Sequence, residues 1–156
     1  MSTHRLRDII LDPQSLAAAS ADDEHERRIA IFDLLEANTF SLPDIDKGPY
    51  ALRLSTAEGR LVFVVEGEDG AEVRTIILSL TPFRKTIKDY FLICDSYNAA
   101  IKNASSQQIE AIDMGRRALH NEGGALLIER LEGKAQIDHD TARRLFTLIC
   151  ALHVRS

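Results

Sequence analysis

The sequence has no tryptophan, two cysteines, four prolines and only 6% aromatic residues. Two cysteines cannot staple a small loop-rich scaffold, so a disulfide framework is excluded. Cys94 and Cys150 each fall within a helical apolar pattern and read as buried thiols. Long apolar runs are also missing. The longest, Leu145 to Val154, spans ten residues between the pair Arg143 and Arg144 and the following Arg155. A bilayer span needs about 20, so this run is a core helix and no membrane partner is expected. The opening MSTHRLRDIILDP lacks the apolar stretch of a secretory signal, which predicts a cytoplasmic protein. Positive charge is scarce too: the formal net charge is −5. Non-specific nucleic-acid binding depends on neutralising phosphates with surplus cations, so a nucleic-acid partner is not expected. There is no phosphate-cradling glycine loop, no GxSxG and no HExxH. His25-Glu26, His120 with Glu122, and Asp138-His139-Asp140 are adjacent ligand types without a closed spacing, so neither a metal nor a cofactor is assigned.

What is present is an average soluble composition, 45% hydrophobic and 28% charged over 156 residues. That length suits a single domain, residues 1–156, able to bury roughly 70% of its unfolded surface. Charge is uneven along it. Residues 1–81 hold 8 Lys and Arg against 15 Asp and Glu, a net of −7, whereas residues 82–156 hold 11 against 9, a net of +2.

Arg5 to Leu11 predicts a strand of weak alternation. Asp22 to Asn38 predicts a helix, with Asp22, Asp23 and Glu24 complementing the dipole of its first turn and Ile31, Phe32 and Leu35 on the apolar side flanked by Arg28. Residues 50–80 predict a three-stranded antiparallel meander. Tyr50, Leu52 and Leu54, then Leu61, Phe63 and Val65, then Ile76, Leu78 and Leu80 form its inward rows at a period of two. Glu58-Gly59 marks the first turn, and Asp69-Gly70 predicts a type I′ hairpin at the second.

Beyond Thr81 the pattern is helical. Thr81-Pro82 predicts an N-cap followed by a proline at the first position. Phe83, Ile87, Tyr90, Phe91, Cys94, Tyr97 and Ile101 then form one apolar stripe. Ser105 and Gln108 form a capping box for a helix reaching about His120. Gly123-Gly124 predicts a break before a short helix ending near Gly133. Asp138 caps the last helix, with Ala142, Leu145, Phe146, Ile149 and Leu152 inward. The fold class is therefore α+β: an antiparallel meander of three to four strands packed against helices, with a helical C-terminal half. Open sheet edges and the breadth of the 83–101 stripe predict a homodimer.

Several long strings, EHERRIAIFDLLEANTF at 24–40, GPYALRLS at 48–55, EGRLVFVV at 58–65, LSLTPFRKTIKDYFLICDSYNAAI at 78–101, QIEAIDMGRRALHNEG at 108–123 and DTARRLFTLICALH at 140–153, resemble an uncharacterised bacterial family, number 0262 of the UPF series. The resemblance covers most of the chain. It implies a small bacterial protein and names no activity, so chemistry has to be argued from the residues.

Two places carry it. At 100° per residue, Ile109, Ile112 and Leu119 define an apolar arc into whose middle Arg116 projects, with Asp113 and His120 beside it and Arg117 on its flank. A guanidinium against a core must be paired. It does so either in an ion pair with Asp113, joined by a group on another helix, or in an anion pocket lined by Arg116, Arg117 and His120. Asp113 and His120 are separated by roughly 10.5 Å of helix axis, too far for a catalytic dyad. The second place is the start of the stripe helix, where Arg84, Lys85 and Lys88 oppose the dipole. They call either for an acidic neighbour such as the Glu66–Asp69 loop or for a phosphate-like ligand, with Arg143 and Arg144 extending the same basic surface. Two functions follow. One is a non-catalytic binding module whose basic helical surface, Arg84, Lys88, Asp113, Arg116, Arg117 and His120, takes an anionic ligand or acidic partner. The other is an enzyme acting on a phosphorylated or carboxylated metabolite, with His120 as acid–base group.

Overall fold

The computed structural model describes residues 3–13 and 21–152. The side chains of Asp22 and Asp23, and the residues from His153 on, including Val154 and Arg155, lie outside the described set. Strand β1 (Leu6–Leu11) leads into helix α1 (Ala21–Glu36), a two-residue strand β2 (Phe40–Ser41) and the meander β3 (Tyr50–Ala57), β4 (Arg60–Glu66) and β5 (Glu72–Ser79). A 3-10 turn over Thr81–Phe83 opens α2 (Arg84–Asn103). Helix α3 (Ser106–Leu131), strand β6 (Gln136–Ile137) and α4 (His139–Ala151) complete the order.

The meander is antiparallel as its alternation predicts, with Leu52 opposite Val65 and Leu54 opposite Phe63. Its inward rows are buried throughout, and helices cover that face while Arg53 and Ile77 look out to solvent on the other. The sheet itself is mixed, in the order β1-β3-β4-β5, because β1 pairs parallel to β3. Parallel neighbours need a crossover, which α1 supplies. Asn38, just past α1, ties that crossover down: its side-chain amide donates to the carbonyls of Leu6 (3.0 Å) and Leu34 (2.7 Å) and accepts from Leu6 N–H at 2.6 Å.

The two hairpin turns exchange roles relative to the sequence expectation. Glu58 and Gly59 both have positive φ, 53° and 74°, across a two-residue loop, so the type I′ geometry sits there. At the second turn only Gly70 is positive, and the chain closes over a longer loop with Gly67 N–H on Ala71 O at 2.9 Å. A register shift at Val65/Glu66 leaves Val73 of β5 without a direct partner on β4.

On α1 Ala30 and Leu34 are buried, Ile31 and Leu35 of the predicted apolar side pack half-buried against the core, and Phe32 is exposed, so the inward face is centred to one side of the predicted one. Arg28 pairs with Glu24 at 3.0 Å on the solvent side. Thr81 does not cap α2, since the 3-10 turn precedes it and no side chain caps either start. The capping box of Ser105 and Gln108 is present, and Asp138 caps α4 through Thr141 N–H at 2.8 Å. The predicted inward row of α4 is buried.

The largest departure is at Gly123-Gly124, where α3 runs straight through. The glycines serve packing. A Cβ on Gly123 would lie 2.5 Å from the ring of Phe146, and one on Gly124 would lie 3.1 Å from the backbone nitrogen of Arg143. The missing side chains let α4 approach α3, a gain that outweighs the ~1 kcal/mol each glycine costs a helix.

Candidate functional site

Helices α2 and α3 form an antiparallel hairpin, held close where Gly115 faces the side chain of Ile93. On α3, one turn places Asp113 below both Arg116 and Arg117. Asp113 Oδ1 accepts from Arg116 Nη2 at 2.8 Å and Nε at 3.2 Å, and its Oδ2 lies 2.9 Å from Arg117 Nη2. The Arg116 guanidinium also lies over the Tyr97 ring of α2, 4.2 Å from the centroid, a cation–π contact. The inward guanidinium is thus paired as the helical wheel requires, with a partner on its own helix and an aromatic face across the hairpin. Burial is the largest influence on Arg116 and would lower its pKa. The Asp113 hydrogen bond and the charges of Glu26 and Asp113 outweigh it and raise the pKa.

His120, one turn further on, faces a different environment. Its ring stacks on Tyr90 at 5.6 Å, and its Nε2 lies 2.6 Å from Thr147 Oγ1 on α4. Thr147 donates to the Arg143 carbonyl at 3.4 Å, which leaves its oxygen to accept from the imidazole. Burial pushes the His120 pKa down to about 4, helped by the positive charges of Arg143, Arg116 and Arg144. The imidazole is therefore neutral at pH 7. Tyr90 donates its hydroxyl to Glu26 of α1, and burial with that carboxylate raises its own pKa far above the ordinary range.

Arg84 and Lys88 are not brought to this cluster. Both are exposed near the start of α2, where Arg84 lies next to the Gly59 turn, and among the described residues no contact joins either to Asp113, Arg116, Arg117 or His120. The acid meeting that end of α2 is Asp89, 3.0 Å from Lys85, whose pKa it raises by hydrogen bond and charge. Glu66 of the acidic loop pairs instead with Arg53 at 3.1 Å. Arg143 is held by Asp140 and Asn121, and Arg144 reaches the Ala37 carbonyl at 3.3 Å, so these two clasp α4 to its neighbours. A cleft of about 310 Å³ lined by Pro43, Ile128, Glu129, Glu132 and Ile137 lies at the opposite end of α3 and includes none of the six predicted residues.

The sequence carries no sign of Thr147, offers Glu26 only as a ligand type beside His25, and places Tyr90 and Tyr97 in the apolar stripe alone. Thr147 lies 27 positions from His120 and Glu26 lies 64 from Tyr90, so no local spacing marks those contacts. Tyr97 did carry a signal, since it shares the apolar stripe and falls within reach of an antiparallel α3. Among the described residues no group of three or more His, Cys, Asp or Glu side chains is placed to hold a metal, and no helix is long and apolar enough to cross a membrane.

A family model described as an uncharacterised protein family, UPF0262, matches residues 3–155. Curated relatives carrying only that family description come from Caulobacter vibrioides, 62% identical over 99% of this chain and 96% of the relative, and Hyphomonas neptunium, 60% identical over 98% and 94%. One from Agrobacterium fabrum is 56% identical over 97% and 96%. No solved structure matches the chain.

Proposed function

We propose, for a chain that belongs to the uncharacterised protein family UPF0262, a non-catalytic role in the cytoplasm as an interaction module that meets an anionic ligand or acidic partner on the α3 side of its helical hairpin. The observation that carries it is the charge of the Asp113 cluster. Asp113 divides its two oxygens between Arg116 and Arg117, and the charge of Glu26 also acts on the inward Arg116, so the guanidinium turned to solvent is that of Arg117, whose side chain is 75% exposed. Arginine's planar fork suits a carboxylate or phosphate group arriving from solvent. Arg84 and Lys88 form a separate basic edge and are not needed.

The test is a thermal-shift series with inorganic phosphate and dicarboxylates at constant ionic strength. A bound anion at 100 times its Kd stabilises by about 2.7 kcal/mol. Arg117→Ala abolishes the response and Lys88→Ala leaves it intact. A flat wild-type response to every anion, together with no salt-sensitive binding to a polyglutamate peptide, overturns the proposal.

One observation favours the enzyme alternative. His120 is held neutral among three arginines, the protonation state a general base requires. Its Nε2 donates to Thr147, which leaves Nδ1 as the basic nitrogen of the neutral ring. Turnover of a phosphorylated or carboxylated metabolite that His120→Gln abolishes without unfolding would establish this alternative.

A further inference from the structure

The stripe Phe83, Ile87, Tyr90, Cys94, Tyr97, Ile101 keeps one face of α2 apolar for five turns, but the core covers only part of it. Phe83 and Ile87 are fully buried, Tyr90 and Cys94 nearly so, Tyr97 is half-buried, and Ile101 is 52% exposed. On α3 the same change occurs in the opposite chain direction. Leu127 and Leu131 are fully buried, whereas Ile109 and Ile112 are only half-buried. Between Asp95 and Glu122 the one buried residue is Ala100. The outer hairpin therefore extends the core's apolar face beyond the core.

We infer that this outer face is covered by a second copy of the chain, the two hairpins packing across a two-fold axis into a four-helix arrangement. A pair of helices with an apolar side is half of such a bundle, and a two-fold contact needs a surface complementary to itself. Charge selects the copy as partner. The whole chain carries −5, which makes two copies repel. The outer hairpin, residues 94–119, is neutral: Lys102, Arg116 and Arg117 balance Asp95, Glu110 and Asp113. Two of these surfaces meet without net repulsion, and the exposed Arg117 fork stays on the flank, clear of the stripe. The Arg116–Tyr97 contact lies within it, Arg116 projecting from the middle of the α3 arc, so the partner copy completes the burial of that pair. Leu92 and Met114 are more exposed than Ile101, but Leu92 lies half a helical turn away from the stripe and Met114 is turned away from the Asp113–Arg116 side. They are isolated apolar residues of the kind ordinary surfaces carry.

Two helices about 10 Å across, uncovered over about 20 Å, present roughly 400 Å² per copy. For the pair this is just below the ~1,000 Å² at which specific interfaces begin, so the dimer is a micromolar, concentration-dependent one. This inference rests on the interaction-module reading of the same hairpin but does not use the anion, and the two fail separately.

Sedimentation of the full chain from about 5 to about 200 µM is expected to show a monomer–dimer equilibrium. Ile101→Asp and, independently, Ile109→Asp raise the dimer Kd at least about tenfold with unchanged far-UV circular dichroism, whereas Leu92→Asp and Met114→Asp leave it unaltered. A wild-type monomer throughout that range overturns the inference, and so does a dimer broken by the Leu92 or Met114 variant but not by the stripe variants. Loss of the dimer in Arg117→Ala alone would also overturn it, placing the contact on the charged flank. A monomer that still responds to anions would retain the interaction module and remove the second copy.

Discussion

The inner and outer ends of the α2–α3 hairpin start from the same apolar stripe and end in different surroundings. At the inner end, Ile87, Tyr90, Leu127 and Leu131 are buried in one core with Leu145 and Phe146 of α4, Tyr90 packing edge-on to Phe146 and α4 approaching closely at Gly123. At the outer end, helical period and apolar content continue, yet from Tyr97 to Ile112 only Ala100 is buried, and Tyr97 meets the Asp113-paired Arg116. Periodicity thus reports that a face is to be covered and leaves open whether the cover comes from the same chain. The polar groups differ in the same sense. His120, at the inner boundary, is neutralised by burial, while Arg117, on the outer part, extends into water.

The sharpest way to break the contrast is to truncate the stripe at both ends. Ile87→Ala, inside the core, is expected to cost about 2–5 kcal/mol in urea unfolding. Ile101→Ala, at the other end of the same stripe, stays within about 0.5 kcal/mol at monomer concentrations. Equal costs would show that the outer hairpin is packed as tightly as the inner one.

His120 gives the next largest effect. Folding holds its pKa near 4 against the ordinary 6.5, so between those values the unfolded chain binds more protons. The stabilisation is full above pH 6.5 and is lost as pH falls towards 4, about 3 kcal/mol in all. Urea midpoints measured across this window should slope for the wild type and flatten there for His120→Gln. An unchanged slope would place the imidazole in water.

Gly123→Ala adds a methyl against the Phe146 ring and is expected to destabilise by about 1–3 kcal/mol although alanine is the better helix former. A stabilised variant would restore the reading of that glycine as a helix break. The smallest effect belongs to the charged cluster. Asp113→Ala is expected to cost about 1 kcal/mol, because the Arg117 fork is largely exposed and the part-buried Arg116 keeps the Tyr97 ring and the charge of Glu26. Unfolding of that variant would make the cluster a structural keystone.

The elements that local chemistry defines were legible in the sequence: the alternating rows of β3–β5, the Ser105–Gln108 box, the Asp138 cap and the inward face of α4. The pairing of Arg116 with Asp113 was legible because it spans three residues of one helix. The parallel partner of β1 was not, since strand direction is set by the crossover and carries no local mark. Gly123-Gly124 misled because glycine weakens a helix by itself and strengthens it only where a neighbouring helix needs the space. Phe32 was placed on the wrong side of α1 because an apolar wheel cannot distinguish two adjacent faces when Ala30 and Leu34 compete with it. The Glu26–Tyr90 and His120–Thr147 contacts join residues on different elements, and only the tertiary fold brings them together.

The most direct measurement is amide hydrogen exchange along α2 and α3 at low and high protein concentration. Protection around Tyr97–Ile101 and Ile109–Arg116 should rise with concentration while that of Gly123–Leu131 stays constant. Concentration-independent protection across the whole hairpin, or a rise confined to the sheet edge at β5, would contradict the assignment of the outer hairpin as the surface on which this protein meets its own copy.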